Sequence, residues 1–371
     1  MIHLVIREPV EYQKTLCQAL EKAYDGNFVA WFAGKRLATL SDSNETYVSR
    51  FLPHVGYRRM FRELKADTQP VVILGGWSST FAWMTLLITA ALRVPVFIWA
   101  DHPFPRPRRN LLRRVYLKLL NRRVAGVLAC GKPTVDHLAS IGFDREKITN
   151  FPYWVRVPEA WSLPGCKANQ PETPIRLLGV GRLVSVKGFD VAIRAVASAN
   201  QKPDQPIATL EVIGEGKERQ QLEALAVTLG VQRSVTFSGW LSNDEVCRRM
   251  AESDALIVPS SFEPYGVVVL EALAQGRPVL ASDRVVAALD RDNQKGAILF
   301  HPAGDSAALA QQLTMLAGDR NLLREAARAA REIAEQWKPE RAALILNSAI
   351  QAAHKTKSAN AIESEFRLDR S

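Results

Sequence analysis

Pro259-Ser260-Ser261-Phe262-Glu263-Pro264-Tyr265-Gly266-Val267-Val268-Val269-Leu270-Glu271-Ala272-Leu273-Ala274-Gln275-Gly276-Arg277-Pro278-Val279 carries two carboxylates eight positions apart, separated by a Pro-x-Gly turn and the start of an apolar helix. The run Ala255-Leu256-Ile257-Val258 precedes it and Pro278-Val279-Leu280-Ala281 closes it, so the stretch reads as strand, loop, helix, strand. Glu263 falls on the loop and Glu271 about two turns along, which lets both point into one cleft at the strand's carboxyl end. Tyr265, Gly266 and Val267 would present backbone amides at the helix N-terminus, where an anion is favoured.

The same alternation extends in both directions. Ile175–Gly179, Ala208–Ile213 and Ser234–Phe237 on one side, and Val71–Leu74, Val94–Trp99 and Gly126–Ala129 further upstream, are short β-branched runs each followed by a helix or a turn. Such a pattern predicts parallel sheets with crossover helices. With 371 residues the chain exceeds one hydrophobic core. The expectation is an α/β fold of two doubly wound, Rossmann-like domains facing one another across a cleft. The first domain covers residues 1–155; a proline-rich linker covers 156–174; the second domain covers 175–338; a closing helix covers 339–355; and a polar tail covers 356–371.

Gly179-Val180-Gly181-Arg182-Leu183-Val184 follows a strand, but Val184 stands where a dinucleotide fingerprint needs its third glycine. Gly214-Glu215-Gly216 fails likewise at Arg219. The first loop instead has two cations, Arg182 and Lys187, with Gly188 and a helix opening behind them. Close backbone approach, a helix N-terminus and two charged donors suit a diphosphate.

Gly-x-Gly-Arg-Leu-x-x-x-Lys-Gly (179–188), Val-Ile-Gly-x-Gly (212–216), Phe-x-Gly (237–239) and the Glu263 to Glu271 stretch resemble, in order and at family spacing, the C-terminal domain of the GT-B retaining glycosyltransferases of family four, known as glycosyl transferases group 1. Trp337 and the closing helix resemble that family's ending, and the resemblance implies that residues 1–155 form the acceptor-side domain and 175–338 the nucleotide-sugar-binding domain. The resemblance implies that Arg182 and Lys187 bind the donor diphosphate, that Glu263 hydrogen-bonds the donor sugar and that Glu271 binds the ribose hydroxyls. The amides of Tyr265, Gly266 and Val267 would hold sugar and phosphate. It further implies that His102, in Trp99-Ala100-Asp101-His102-Pro103, approaches the sugar from across the cleft. The other histidines, His3, His54, His137, His301 and His354, read as structural.

Three departures from the family pattern stand out. Arg7-Glu8-Pro9-Val10-Glu11-Tyr12-Gln13 replaces a Gly-Gly loop, Val285-Val286-Ala287 replaces a glycine-rich stretch, and Pro152-Tyr153-Trp154 replaces an Asn-Gly that ends the first domain. The one Asp-x-Asp, Asp290-Arg291-Asp292, lies outside the motif series, and no cofactor or metal is expected. The leaving diphosphate would be neutralised by cations and helix termini.

Composition narrows the partners. Hydrophobic residues at 47% and charged residues at 23% describe a packed globule. The four cysteines, Cys17, Cys130, Cys166 and Cys247, form no Cys-x-x-Cys pair and read as reduced thiols. The apolar stretch Phe81–Leu92 is too short to span a bilayer, and the opening residues lack a signal-peptide pattern, so a cytoplasmic location is expected. Residues 1–123 hold 19 Lys/Arg against 9 Asp/Glu, while 124–371 hold 29 of each, so the whole net charge of +10 sits in the first third. Its densest part, residues 106–123, sets Arg106, Arg108, Arg109, Arg113, Arg114, Lys118, Arg122 and Arg123 among Leu111, Leu112, Val115, Tyr116, Leu119 and Leu120 at helical spacing. That stretch would meet the anionic inner face of a membrane. No aromatic platform accompanies it, so nucleic acid is not an expected partner.

The activity expected is transfer of a sugar from a nucleotide diphosphate donor to an acceptor glycan or glycolipid, with retention and without metal. An epimerase or phosphorylase on the same fold, and a non-catalytic membrane-surface adaptor, are the alternatives. The first would consume donor without transfer to any acceptor, and the second would bind no nucleotide.

Overall fold

The computed structural model describes residues 1–8, 10–34, 46–101, 111–159, 161–163, 173–201, 205–291 and 295–368, the segments 111–114 and 356–368 by their backbone alone. The chain divides into two compact units: Met1–Trp154 with Pro339–Ser371, and Val155–Lys338.

In the first unit the chain runs β1 (Ile2–Ile6), α1 (Glu11–Tyr24), β2 (Phe28–Phe32), β3 (Val48–Phe51), α2 (Leu52–Ala66), β4 (Val71–Gly75), α3 (Thr80–Ala91), β5 (Val96–Ala100), α4 (Leu111–Arg123), β6 (Gly126–Ala129), α5 (Lys132–Ser140) and β7 (Ile148–Asn150). The strands pair in parallel in the order β3-β2-β1-β4-β5-β6-β7. Every residue of β1, β2 and β5 is buried, as continuous apolar strands covered on both faces require.

The second unit runs β8 (Ile175–Val180), α6 (Phe189–Ala199), β9 (Ala208–Ile213), α7 (Arg219–Thr228), β10 (Val235–Gly239), α8 (Asn243–Glu252), β11 (Ala255–Val258), α9 (Val267–Ala274), β12 (Val279–Ser282), α10 (Val286–Arg291), β13 (Ile298–His301), α11 (Ser306–Gly318) and α12 (Arg320–Gln336). Its parallel order is β10-β9-β8-β11-β12-β13. Both sheets are doubly wound and Rossmann-like, and each reverses winding direction beside its first strand, β1 against β4 and β8 against β11. A crevice at the carboxyl ends of the strands opens at such a reversal. Phe189, Val191, Ile193 and Val196 of α6 pack on Leu177, Leu210 and Val212 to form the core beneath it. Ser242, Asp305 and Asp319 cap α8, α11 and α12 through backbone amides, which fixes where these helices start.

Two segments differ from the sequence expectation. Described parts of the 156–174 connection pack on the second unit: Arg331 donates to the Pro158 carbonyl at 2.5 Å, Arg277 donates to Ser162 Oγ at 3.3 Å, and Trp161 covers Gly276. Prolines advertise a connection, but buried arginines and one indole dock it. The last helix, α13 (Arg341–Leu368), belongs to the first unit and runs on through most of the expected polar tail. Residues 356–368 contain neither glycine nor proline, so nothing in the chain stops the helix at 355. Tyr24 of α1 donates to Asn347 Oδ1 at 2.7 Å, and α1 packs along this helix.

Among the described residues, no helix is long and apolar enough to cross a membrane.

Candidate functional site

The loops after β8, β9 and β11 converge at the second unit's winding reversal. Gly181 N–H donates to the Ile213 carbonyl at 2.9 Å and Leu183 N–H to the Glu215 carbonyl at 2.9 Å, laying the first two loops side by side. A Cβ on Gly214 would stand 2.0 Å from the Gly181 carbonyl oxygen, so only glycine permits that approach. Gly188 has φ of 66°, caps α6, and would drive a Cβ to 2.3 Å from the Pro259 carbonyl oxygen. The glycines of the sequence motifs therefore pack backbone against backbone, clearing the edge where Arg182 and Lys187 stand.

A 3-10 turn, Ser185–Lys187, carries Lys187 to the loop after β11. Ser261 donates from its amide at 2.9 Å and from Oγ at 3.3 Å to the Val186 carbonyl, stitching the two loops together. Lys187 Nζ donates to Glu263 Oε2. Arg182, earlier on the same loop, is exposed.

On its other side Glu263 is held by the segment between β12 and α10. It pairs with Val285 in an isolated parallel bridge, and its amide donates to the Arg284 carbonyl at 3.2 Å. Ala287 N–H donates to the Tyr265 carbonyl at 2.7 Å. Val285, Val286 and Ala287 are buried, so the stretch that departs from the family's glycines is the shelf on which the Glu263 loop rests. Tyr265 is buried too; Arg291 donates to its hydroxyl at 3.4 Å and lies 3.8 Å over the Trp337 ring.

Gly266, left-handed at φ of 92°, caps α9, and its Cα faces the Glu263 side chain. The first amide bonded within the helix is that of Val269, to the Gly266 carbonyl at 3.0 Å, which leaves the preceding turn's donors at the helix N-terminus. In α9 the partly open positions are Val267, Val268 and Glu271. Burial pushes the Glu271 carboxyl up to about 7. The structure thus brings Lys187, Glu263 and the α9 N-terminus together, with Glu271 further along the same helix.

In the first unit, His102 lies outside the described residues. Its neighbour Asp101 follows β5 and accepts from Tyr153 Oη at 3.0 Å. Tyr153 packs edge-on against Tyr12 at 4.6 Å and Trp99 at 5.2 Å between ring centroids. Two of the departures from the family pattern, around Tyr12 and around Tyr153, therefore meet at the carboxyl edge of this sheet. Burial pushes the Tyr12 hydroxyl up to about 12 and raises that of Tyr153. Nothing in linear spacing could have paired residues so far apart.

His3 is buried between Trp31, which donates to Nδ1 at 3.2 Å, and Asp67, 3.0 Å from Nε2, with its pKa lowered by burial. Among the described residues no three His, Cys, Asp or Glu side chains gather as a metal ion would need. Asp290 is buried 3.6 Å from Arg291, and Asp292 lies outside the described residues.

Residues 167–333, which lie within the second unit, match the family model described as Glycosyl transferases group 1. The lipopolysaccharide core biosynthesis glycosyltransferase LpsE of Rhizobium meliloti (strain 1021) is 32% identical over 199 residues, 53% of this chain and 55% of that protein. The match thus spans about half the length of that relative. An uncharacterised glycosyltransferase of Haemophilus influenzae is 25% identical over 273 residues, covering 70% of this chain and 72% of its own. Anabaena Alr3699/HepE, solved in complex with UDP, superposes with a TM-score of 0.73 at 19% identity over 96% of this chain and 99% of its own. A glycosyltransferase from Rickettsia africae ESF-5 gives 0.74 at 16% identity over 95% and 98%. The fold of this chain is that of these GT-B glycosyltransferase structures.

Proposed function

We propose that this chain is a retaining, metal-independent glycosyltransferase that moves a sugar from a nucleotide diphosphate donor to an acceptor hydroxyl, in synthesis of a cell-surface polysaccharide or glycolipid. The observation that carries the reading is the ion pair of Lys187 with Glu263 beside the α9 N-terminus, at the carboxyl edge where the second sheet reverses. The group 1 match over this unit and the lipopolysaccharide-core relative support it. The UDP complex of the Anabaena neighbour makes UDP-sugars the first donors to test.

In this proposal Lys187 exchanges the Glu263 carboxylate for a diphosphate oxygen, and Arg182 and the helix amides of Gly266 and Val267 complete the anion site. Glu263, released, accepts hydrogen bonds from the donor sugar, while Glu271 accepts from the ribose. As the anomeric carbon loses its leaving group, positive charge there faces the departing diphosphate on the same side of the ring. A diphosphate oxygen takes the acceptor hydroxyl's proton, so acceptor and leaving group share one face and configuration is retained. His102, next to the Asp101–Tyr153 hydrogen bond, is proposed to approach the sugar. The fixed cations and helix dipole do the neutralising that a divalent ion would otherwise do.

The acceptor is proposed to be lipid-linked, with the basic residues 106–123 lying along the inner face of the membrane, because the net positive charge is confined to residues 1–123. Incubating the protein with UDP-, GDP- and ADP-sugars and membrane extract in EDTA and following transfer of the sugar to an acceptor tests the proposal. Transfer from one donor, lost in Glu263→Ala, is the expected result; donor consumption without transfer, or indifference to all three, contradicts it.

A further inference from the structure

Helix α3 is uncharged and leaves its largest apolar side chains at the protein surface. Its twelve residues, Thr80-Phe81-Ala82-Trp83-Met84-Thr85-Leu86-Leu87-Ile88-Thr89-Ala90-Ala91, include no charged side chain. One side, with Ala82, packs on the core of the first unit. The opposite side leaves Trp83 48% and Leu87 63% exposed, with Met84 beside them. Large apolar side chains left bare on an uncharged helix mark an interaction surface, and the described elements beside it, α2 and α4, leave Trp83, Met84 and Leu87 exposed.

The helix is flanked by two basic elements. Towards α2, a shallow groove of about 640 Å³ is lined by Tyr57, Arg58, Phe61, Arg62, Met84 and Ile88. Towards α4, Trp83 stacks on Tyr116 at 5.1 Å, and Leu119 is 58% exposed one turn on. Arg58 and Arg62 border the ridge beside Met84 and Ile88, Lys118 and Arg122 are exposed on α4, and among the described residues none of the four is in an ion pair. Glu63, the acid on this part of α2, is held by Arg50 and Arg59. An apolar ridge with an indole at its margin and a border of one charge sign matches an anionic bilayer: tails for the ridge, headgroups for the cations.

We propose that α3 is a membrane-insertion ridge, seating Trp83, Met84 and Leu87 among the acyl chains of an anionic leaflet while Arg58, Arg62, Lys118 and Arg122 meet its headgroups. The inference deepens the membrane contact proposed above but moves its centre from the basic stretch to α3. It replaces a purely electrostatic contact with one that salt weakens without abolishing. Surface ion contacts are screened by salt, whereas burial of Trp83 and Leu87 is not.

The test is co-sedimentation of the full chain with phosphatidylcholine vesicles and with phosphatidylcholine/phosphatidylglycerol vesicles, at about 0.1 M and about 0.5 M NaCl. Wild-type protein should bind the anionic vesicles at both salt levels, more weakly at the higher. Leu87→Gln, whose side chain is mostly solvent-exposed, should lower partitioning about tenfold and abolish the salt-resistant part. Combined Arg58→Gln, Arg62→Gln and Lys118→Gln should remove the preference for anionic over neutral vesicles. Three results would overturn the proposal: no vesicle binding at the lower salt, complete release of the wild type at the higher, or a Leu87→Gln variant that binds like wild type. A concentration-dependent dimer that Leu87→Gln converts to monomer would also overturn it, assigning the ridge to a second copy of the chain. Donor consumption is assayed in the same samples, so failure of the membrane seat and failure of the proposed chemistry are read separately.

Discussion

Lys187 reaches across from the turn after β8 to hydrogen-bond Glu263 on the loop after β11, joining the two strands that flank the winding reversal of the second sheet. Each partner neutralises the other. In the proposed reaction a diphosphate arriving at Lys187 displaces the carboxylate, which is then released towards the sugar. On that proposal the pair is an exchange in which binding of the phosphates prepares the group that orients the sugar.

The first prediction tests that exchange. With UDP as the proposed donor nucleotide, Lys187→Ala should weaken its binding by about 1.5–3 kcal/mol, roughly 10- to 150-fold, since a charged hydrogen bond is lost. Glu263→Gln should act in the opposite direction on free UDP, keeping or tightening its affinity because the competing charge on Lys187 is gone, while turnover falls by orders of magnitude. Calorimetry with UDP and a turnover assay on both variants decide it; equal weakening in the two variants would contradict the exchange.

Glu271 gives a pH dependence. Burial raises its carboxyl to about 7, so the folded protein holds a proton there that the unfolded chain releases near ordinary carboxylate values. Its contribution to stability is therefore fully present below the unfolded pKa and is lost as pH rises through about 7. Melting temperatures of ligand-free protein between those limits should decline with pH more steeply in wild type than in Glu271→Gln. If ribose hydroxyls bind the ionised carboxylate, UDP binding near neutral pH should release a proton, seen as a buffer-dependent calorimetric enthalpy that Glu271→Gln lacks.

Close backbone packing distinguishes two glycines of similar conformation. Gly188 has φ of 66° and a carbonyl 2.3 Å from a built Cβ, while Gly230 has φ of 71° and nothing within 4 Å. Gly230→Ala should cost only about 1–2 kcal/mol, the left-handed penalty. Gly188→Ala carries the same penalty plus displacement of the Pro259 loop, so it should destabilise distinctly more and weaken UDP binding. Denaturant unfolding of the two variants provides the comparison.

Tyr153→Phe removes the hydrogen bond to Asp101 without emptying the aromatic cluster. Its effect should fall on the first unit's part of the reaction: a slower transfer or a higher acceptor KM, with UDP affinity unchanged. Altered UDP affinity would place Tyr153 elsewhere in the mechanism.

The second unit was far more legible in the sequence than the first. Gly214 and Gly188 tolerate no other residue where backbones meet, and Glu263, Glu271 and Lys187 stand at fixed offsets from them, so chemistry and spacing share one linear pattern. The shelf of Val285 to Ala287 was legible only as a missing motif, because its role depends on a pairing with Glu263 that composition does not encode. In the first unit, Tyr12 and Tyr153 are joined by the sheet and not by spacing. The stretch Phe81–Leu92 could be read as too short to span a membrane, but its exposure depends on which neighbours cover it. The docking of Pro158, Trp161 and Ser162, and of α13, likewise rests on contacts such as Arg331 to Pro158, Arg277 to Ser162 and Tyr24 to Asn347 that carry no sequence signal.

The proposed reaction cleaves a nucleotide-sugar bond at this site with retention and without metal. Its most direct test is proton NMR of the first sugar product formed from a UDP-α-sugar in EDTA, recorded before mutarotation, with water or membrane extract supplying the acceptor. The expected product is the α-anomer, absent with Glu263→Ala; a β-anomer, or activity that appears only when Mg²⁺ or Mn²⁺ is restored, would contradict it.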